Sequence, residues 1–463
     1  MAVLSLDIGT TKICALVFDE YTGTVIETRE AGNVFLAPPH PWNRQQDPEE
    51  IFRILDGIIS DLKKKYKTFR AIGISCQMHG ILYLNGAGRA VSPLYTWQDQ
   101  SAALPYSGGE SYASYLAAFS PGRVAPGFGL ATCFYHLKTN GIPSGAKKLC
   151  TIGDYIAMRL CRSSLPLTHI TNAAGLGFFD LRGACFDMGS LERAGFDLSL
   201  LPDLSAGARV FGETPDGIPV CVAVGDNQAS FLGAVRDLKE SVAVNIGTGS
   251  QISLVSSDPA RAGVFKGRAL EVPALEVRPY FDDLFLVVGA SLCGGRAYAI
   301  LETFFRDVLS MAGFVSGAAS LSDGSLYPAM NELALAGADS GGQILVDTLF
   351  AGSREDPSRR GSIGNISEDN FTPANLVAGF LNGIAAELYA LYEPVREKAH
   401  KKITGSGNAI RKNEALRRIL SEKFNMPLEL APHEEEAACG AALFALACTG
   451  AFKNVSEARY QAR

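Results

Sequence analysis

A chain of 463 residues, 47% of them hydrophobic and 19% charged, is long enough for two cores and too apolar for a disordered protein. Its net charge of −6 gives no global basic field. That argues against nonspecific binding to nucleic acid or to an anionic membrane, yet leaves room for local phosphate sites built from backbone amides and a divalent cation.

The first predicted elements are strands over 3–8 and 13–18 around a Gly9-Thr10-Thr11 turn, with further β structure over 22–28. In QDPEEIFRILDGIISDLKKK, Asp47 reads as an N-cap, Pro48 as the first helical position and Glu50 as a capping-box partner. Ile51, Ile54, Leu55, Ile58, Ile59 and Leu62 keep helical spacing, and lysines gather at the end that the helix dipole favours. AIGISCQMHGILYL follows as strand, turn and strand, so the first lobe alternates β and α like a mixed sheet covered by helices. Residues 100–215 are irregular, rich in Gly, Pro and Ser, and read as insertions around a cleft. At Val220 the pattern restarts with PVCVAVGDNQAS, SVAVNIGTGSQISLVSS and FLVVGASLCGG, the last leading into a helical AYAILETFFRDVL. A second lobe opening near residue 236 gives domains of 1–235 and 236–463, with a hinge expected over 235–240. The stretch 352–370 reads as an exposed loop, either a plain surface segment or a lid. FTPANLVAGFLNGIAAELYALYEPV predicts a long helix, ITGSGNAIRKNEALRRIL a strand, glycine turn and helix, and EEEAACGAALFALACTG a small-residue helix suited to close packing.

Ten cysteines show no CxxC pair and no metal-ligand spacing, so buried small hydrophobes in a reducing cytosol are expected, without structural zinc. The amino terminus has no basic region, Asp7 interrupts its apolar run, and no stretch of about 20 uncharged apolar residues follows; a cytoplasmic protein is the expectation.

An internal repeat carries the chemistry. SLDIGTTKICALV from Ser5 is echoed by AVNIGTGSQISLV from Ala243, so Ile8, Gly9, Thr10, Leu16 and Val17 recur as Ile246, Gly247, Thr248, Leu254 and Val255. Asp7 is answered by Asn245. A hairpin turn of Gly and Thr can wrap a phosphate with backbone N–H groups and hydroxyls, and two of them can clamp a polyphosphate. The acid before the first turn has a reason too, since magnesium keeps several waters and takes one or two carboxylates. In VAVGDNQAS, Asp226 stands at a strand end beside Gly225, placed to accept a proton from an attacking hydroxyl; it would serve equally as an N-cap. GSGNAIRKN offers a turn that a flat ring can approach, with Asn413 in reach of a base or ribose. Neither it nor the hairpins form a GxxxxGK[ST] loop, so a Walker-type ATPase is not supported. CQMHG and TWQDQ present Gln77, His79, Trp97, Gln98 and Asp99, amides and carboxylates beside an indole face that suit a polyhydroxylated ligand. Taken singly, His79 reads as a structural histidine and Trp97 as core.

Together these residues resemble the FGGY family of carbohydrate kinases, in the actin-like ATPase superfamily, nearly from end to end. QMHG followed by TWQDQ, PGFGLATCFYHLK, ITNAAGLGFFDLRGACFD, GDNQAS, ASLCGG and ITGSGNAIRKNEAL carry the resemblance. It implies an α/β fold of two actin-like ATPase (ribonuclease H-like) domains with a cleft between them. The implied reaction moves the γ-phosphoryl of MgATP to a terminal hydroxyl of a ketose, and the middle segments favour a seven-carbon ketose over xylulose, ribulose or glycerol. By resemblance, Asp7 holds Mg2+ through water, Thr10 and Thr11 contact the phosphates, and Gly247 with Thr248 closes the clamp. Gly407 and Asn413 line the adenosine end, and Asp226 is the general base. Gln77, Met78, His79, Trp97, Asp99 and Asn227 hold the sugar. Many members carry a lysine in the segment that here reads GLATCFYHL, where this chain has Leu130, Ala131 and Thr132. The implied partners are the sugar and ATP, with no nucleic acid or membrane, and a homodimer is admitted. A rival from another class is an actin-like or Hsp70-like nucleotide switch, which shares the hairpins but gives no reason for QMHG, TWQDQ and GDNQAS. A sugar-binding pseudokinase would have no use for Asp7 and Asp226.

Overall fold

Strand β1 (Ala2–Ile8) pairs antiparallel with β2 (Lys12–Asp19), Ile8 opposite Ile13, so Gly9, Thr10 and Thr11 make the turn between them. This computed structural model describes residues 1–120, 122–258, 275–311, 322, 324–338, 343–353, 356 and 358–458. Strand β3 (Val25–Gly32) continues the meander. Helix α1 (Pro48–Tyr66) starts where Asp47 caps it, but the expected capping box does not form. Asp47 accepts from the Glu49 N–H at 2.9 Å, whereas Glu50 turns outward to Arg53 Nε at 2.7 Å; a nearby guanidinium outcompetes the backbone for that carboxylate.

Strand β4 (Ile72–Cys76) lies parallel to β1, and β5 (Pro219–Cys221) parallel to β4. Val224–Gly225 runs beside the end of β4, and α2 (Asp226–Ala234) begins at once after it. The sheet reads Val210–Glu213, β5, β4, β1, β2, β3. Its buried face packs Leu6, Ile8, Ile13 and Val17 against Ile51, Leu55 and Ile59 of α1, burial that supplies the main favourable term in folding.

Unit 2 repeats the plan. Strands β6 (Ser241–Ile246), β7 (Ser250–Ser256), β8 (Leu275–Pro279) and β9 (Phe285–Ser291) precede helices α3 (Gly294–Met311), α4 (Tyr327–Ala338) and α5 (Pro373–Tyr392). Strand β10 (Lys402–Ser406), helix α6 (Glu414–Phe424) and strand β11 (Leu428–Leu430) follow. Its sheet runs β8, β9, β7, β6, β10, β11. In both units three antiparallel neighbours are followed by two strands parallel to the first of them, the ribonuclease H-like order, with β8 added at the edge in unit 2. Helix α5 is long and apolar enough to cross a membrane by length and composition, but two thirds of its apolar window is buried in the fold, as in a core helix. The stretch 352–370, read as a loop, contains strand Ser362–Gly364 paired with Leu345–Asp347; residues 354, 355 and 357 lie outside the described ones.

The chain does not divide at a single point near 236. One compact unit comprises Met1–Arg236, Arg278–Leu284 and Glu435–Arg463, the other Asp237–Val277 and Phe285–Glu434. The reason is visible in the C-terminal helix, Glu436–Cys448, whose small residues let it lie against α2 backbone to backbone. A Cβ on Gly440 would meet Ala229 O at 1.8 Å, and one on Gly233 would meet Glu436 O at 2.0 Å. Ser5 of β1 donates to Ala438 O at 2.5 Å from the same helix.

Gly440→Ala should therefore lower stability by about 1–3 kcal/mol, the usual cost of overpacking. Gly57→Ala, exposed in α1 with nothing within 4 Å of the new methyl, should raise it by roughly 0.5–1 kcal/mol. Denaturant melts of the two variants check both signs; an unperturbed Gly440→Ala would mean that the helix contact yields freely.

Candidate active site

The first hairpin turn is held from three sides. Gly9 N–H donates to Lys12 O at 3.0 Å, and a Cβ on Gly9 would crowd that oxygen at 2.9 Å. Asn33, just past β3, donates Nδ2 to Gly9 O at 2.8 Å and its backbone N–H to Thr11 O at 2.9 Å. Thr10 joins a ring of side chains. Its Oγ1 accepts from Trp97 Nε1 at 2.8 Å and donates to Gln77 Oε1 at 3.2 Å. Gln77 Nε2 donates to Gln46 Oε1 at 2.8 Å, and Gln46 Nε2 returns to Thr10 O at 2.7 Å. Thr10, expected on the phosphates, thus spends its hydroxyl on residues expected at the sugar. Thr11 is the exposed member of the turn. Gln46 went unnoticed in the sequence because RQQDPEE reads only as a helix start.

The remaining sugar-side residues separate. Trp97 keeps 45% of its surface exposed, so it is not core. Gln77 and Met78 are buried, and Gln77 N–H also anchors on Ile8 O at 2.9 Å. His79 adopts φ +74°, donates Nδ1–H to Gly175 O at 2.6 Å and stacks on Phe128 at 4.6 Å. Asp99 corrects the expectation. It is fully buried and accepts from Asn43 Nδ2 at 3.2 Å, Arg44 N at 3.0 Å and Ser101 N at 2.9 Å, with Ser101 Oγ as a fourth donor. A carboxylate saturated by four internal donors closes the turn that carries Trp97 and has no lone pair turned outward for a sugar.

Asp7 and Asp226 belong to the same unit. Burial, then the negative charge of Asp226, push the Asp7 carboxyl up to about 7, against a bond from Ser75 Oγ at 2.7 Å and the charge of Lys12. Lys12 itself pairs with Glu435 at 2.7 Å and Glu30 at 3.1 Å. Asp226 is the first residue of α2 and not its N-cap, a place taken by Gly225. Burial raises its carboxyl to about 6, while Arg278 pulls it down. Arg278 was not foreseen, because it arrives from the other half of the chain. Next to Asp226 in sequence, Asn227 leaves Oδ1 buried without a protein donor, an oxygen that a sugar hydroxyl would satisfy. Two carboxylates of one sign, both pushed up by burial, have the hard oxygen donors and the charge that suit a hydrated Mg2+.

Unit 2 holds a cavity of about 430 Å3 under β9 and a larger one, of about 610 Å3, whose lining includes Gly247, Thr248, Arg296, Tyr298, Asn331 and Asn413. Its size fits a nucleoside. Gly247 N–H donates to Gly249 O at 3.0 Å, and Arg296 N–H to Thr248 O at 3.0 Å, so the start of α3 braces the second hairpin. Gly407 stands at φ +84°, where a Cβ would meet Ile246 O at 2.5 Å. Asn413 caps α6 through Leu416 N at 2.9 Å and donates Nδ2 to Asn331 Oδ1 at 2.8 Å. Tyr298 OH donates to the same oxygen at 2.9 Å and its ring stacks on Tyr327 at 5.6 Å. Tyr298, Tyr327 and Asn331 were missed, the first hidden in an apolar helix pattern.

Residues 2–233 match the N-terminal domain, and residues 242–448 the C-terminal domain, of the FGGY family of carbohydrate kinases. The chain belongs to this family and is an ATP-dependent sugar kinase. Among its relatives, the sedoheptulokinase of Mus musculus is 30% identical over 96% of this chain and 97% of its own length. That of Homo sapiens is 29% identical with the same coverage, and the glycerol kinase of Parabacteroides distasonis is 25% identical over 99% and 92%. Among solved structures, the xylulose kinase from Rhodospirillum rubrum superposes with a TM-score of 0.82 at 19% identity, covering 99% of this chain and 92% of that one. The Plasmodium falciparum glycerol kinase with ADP gives 0.77 at 16%, covering 98% and 90%.

Because the folded state holds the Asp7 carboxyl near 7 rather than the ordinary 3.8, stability is lost as pH rises from about 4 to 7, and the full cost is present above that. Asp7→Asn should raise the melting temperature of the metal-free protein at pH 8 by roughly 2–4 °C for each kcal/mol relieved. The gain should shrink as pH falls below 7 and vanish only below about 4, where Asp7 carries its proton in the folded and the unfolded chain alike. A melting series in EDTA across pH 4–8 checks this; an equal gain at every pH would overturn it.

Proposed function

We propose that the chain phosphorylates the terminal primary hydroxyl of sedoheptulose, giving sedoheptulose 7-phosphate and ADP, in the cytoplasm. The observation that carries the chemistry is Asp226, an acid at a helix start, held near the pH at which it can both take and release a proton. Support for the seven-carbon ketose is the 30% and 29% identity to two sedoheptulokinases over nearly the whole chain, above the 25% to a glycerol kinase.

In this mechanism the sugar lies with its C–H face on Trp97, its hydroxyls paired with Gln77, His79 and Asn227, while Met78 packs beneath. Asp99 contributes by fixing the Trp97 turn. Asp226 accepts the proton of the attacking hydroxyl as its oxygen bonds to the γ-phosphorus and the bond to the bridging oxygen breaks. Gly407 and Asn413 hold the adenosine in the large cavity of unit 2, and Gly247 with Thr248 binds phosphate oxygens. Thr11 and the backbone of the first turn serve the phosphates in unit 1, with the Thr10 hydroxyl engaged on the sugar side. Asp7 would hold Mg2+ through water, which neutralises phosphate charge when bound. Phosphoryl transfer has a loose transition state, so positioning and charge neutralisation outweigh the base.

ADP release should be strong with sedoheptulose and weak with xylulose, ribulose and glycerol. Asp226→Ala should cut kcat by about 10²–10⁴-fold with ATP binding retained. A different preferred sugar would overturn the substrate, and an active Asp226→Ala would overturn the base.

With Asp226 raised to about 6, its ionised fraction falls as pH drops through that value, so kcat/KM should rise through pH 6 and level off above it. Rates measured across pH 5–8 check the limb; a flat profile would remove Asp226 from proton transfer.

A further inference from the structure

Arg278 opens the short segment Arg278–Leu284 that the second half of the sequence contributes to unit 1. Its Nη1 donates to Met78 Sδ at 3.5 Å. That sulfur lies 2.9 Å from where a Cβ on Gly225 would stand, and Gly225 is the N-cap of α2, directly before Asp226. One residue beyond Arg278, Pro279 O accepts Gln228 Nε2 at 3.1 Å, and Gln228 is a fully buried residue of the first turn of α2. The amide contact therefore pins residues 278–279 to the turn that carries Asp226, and the thioether contact holds Arg278 on Met78 beside it. The guanidinium charge acts on the Asp226 carboxyl from there. A guanidinium stays charged and presents a planar fork of donors, so it can fix the orientation of a carboxylate without competing for its proton.

We propose that Arg278 is a positioning residue for phosphoryl transfer, orienting the Asp226 carboxylate toward the sugar hydroxyl. This role rests on Asp226 acting as the general base. The hydroxyl oxygen bonds to the γ-phosphorus, the bond to the β,γ-bridging oxygen breaks with its electron pair leaving on ADP, and the hydroxyl proton passes to Asp226. Arg278 exchanges no proton; it keeps one carboxylate oxygen aimed at the hydroxyl while that transfer occurs.

The test uses the full chain with MgATP and whichever of sedoheptulose, xylulose, ribulose and glycerol it turns over fastest. Arg278→Met, Arg278→Lys, Asp226→Ala and the Asp226→Ala/Arg278→Met double variant are compared, each with its melting temperature. Arg278→Met should lower kcat by about 10²-fold, the scale for removing one preorganised charged donor, with KM for ATP unchanged. Arg278→Lys should recover part of that loss, and millimolar guanidinium should restore part of the activity of Arg278→Met but none to Asp226→Ala. The double variant should be no slower than Asp226→Ala alone, because groups acting as a unit do not add. Wild-type kcat in Arg278→Met beside an inactive Asp226→Ala would overturn the role of Arg278 and leave the base standing. A further full loss in the double variant would show that Arg278 acts elsewhere, and an active Asp226→Ala would overturn the base and this role with it. If Arg278→Met does not fold, Arg278→Lys decides: an unchanged kcat overturns the role, and a loss at unchanged ATP KM supports it.

Discussion

Asp7 and Asp226 are both held where burial penalises their charge, and the charge of Asp226 adds to the penalty on Asp7. Most of unit 1 can be understood as the apparatus that makes this tolerable. Ser75 donates to Asp7 from the neighbouring parallel strand and draws its carboxyl down, while Lys12, paired with Glu30 and Glu435, offsets less than the charge of Glu435 adds. Asp226 occupies the first turn of α2, where the helix dipole favours a negative group. The helix can stand there only because Gly233 and Gly440 let the C-terminal helix lie against it. Groups of this kind destabilise a fold in return for reactivity, and such perturbed carboxyls gather where chemistry happens.

The duplicated plan shows how one backbone serves two chemistries. Asp7 lies opposite Ser75 in the register of β1 and β4, and Asn245 lies opposite Ser406 in that of β6 and β10. In the first pair the serine donates to the carboxylate at 2.7 Å; in the second the amide donates to the serine at 2.8 Å. Exchange of Asp for Asn reverses the direction of that bond and removes the charge. An acid suits a unit proposed to hold a cation and activate a hydroxyl. A neutral amide suits a hairpin proposed to meet phosphate with no cation between them, where a carboxylate would repel it.

How much of this could be read from the sequence follows from how local each interaction is. The strands, the hairpin turns, α1, α2 and the helix after the glycine turn rest on side-chain period and turn chemistry, and the structure forms each of them. Glu50 shows the limit even of local rules, since the capping-box pattern is present and Arg53 takes the carboxylate instead. Asp99 failed for a different reason: an acid among polar residues beside a tryptophan looks the same whether it faces a ligand or closes a turn. Gln46, Arg278, Tyr298 and Asn331 had no local signature, because each acquires its role from a residue distant in sequence. The unit boundaries were hidden for the same reason, as composition does not reveal that the chain returns twice to unit 1.

The ring around Thr10 shows what such distant contacts accomplish. A main-chain carbonyl can only accept, so Thr10 O requires an N–H, and the Gln46 amide must present its Nε2 there. Its Oε1 then faces Gln77, which must offer Nε2 in turn and aim its own Oε1 at the Thr10 hydroxyl. That hydroxyl spends its proton on Gln77 and keeps a lone pair for the indole N–H of Trp97. Every ambiguous group in the ring is thereby oriented by one unambiguous backbone oxygen. The exposed Trp97 ring is fixed in place before any ligand arrives, because a closed ring of hydrogen bonds resists the rotations that a lone surface tryptophan would make. The same Thr10 whose backbone shapes the first hairpin turn thus sets the plane on which the sugar is proposed to rest.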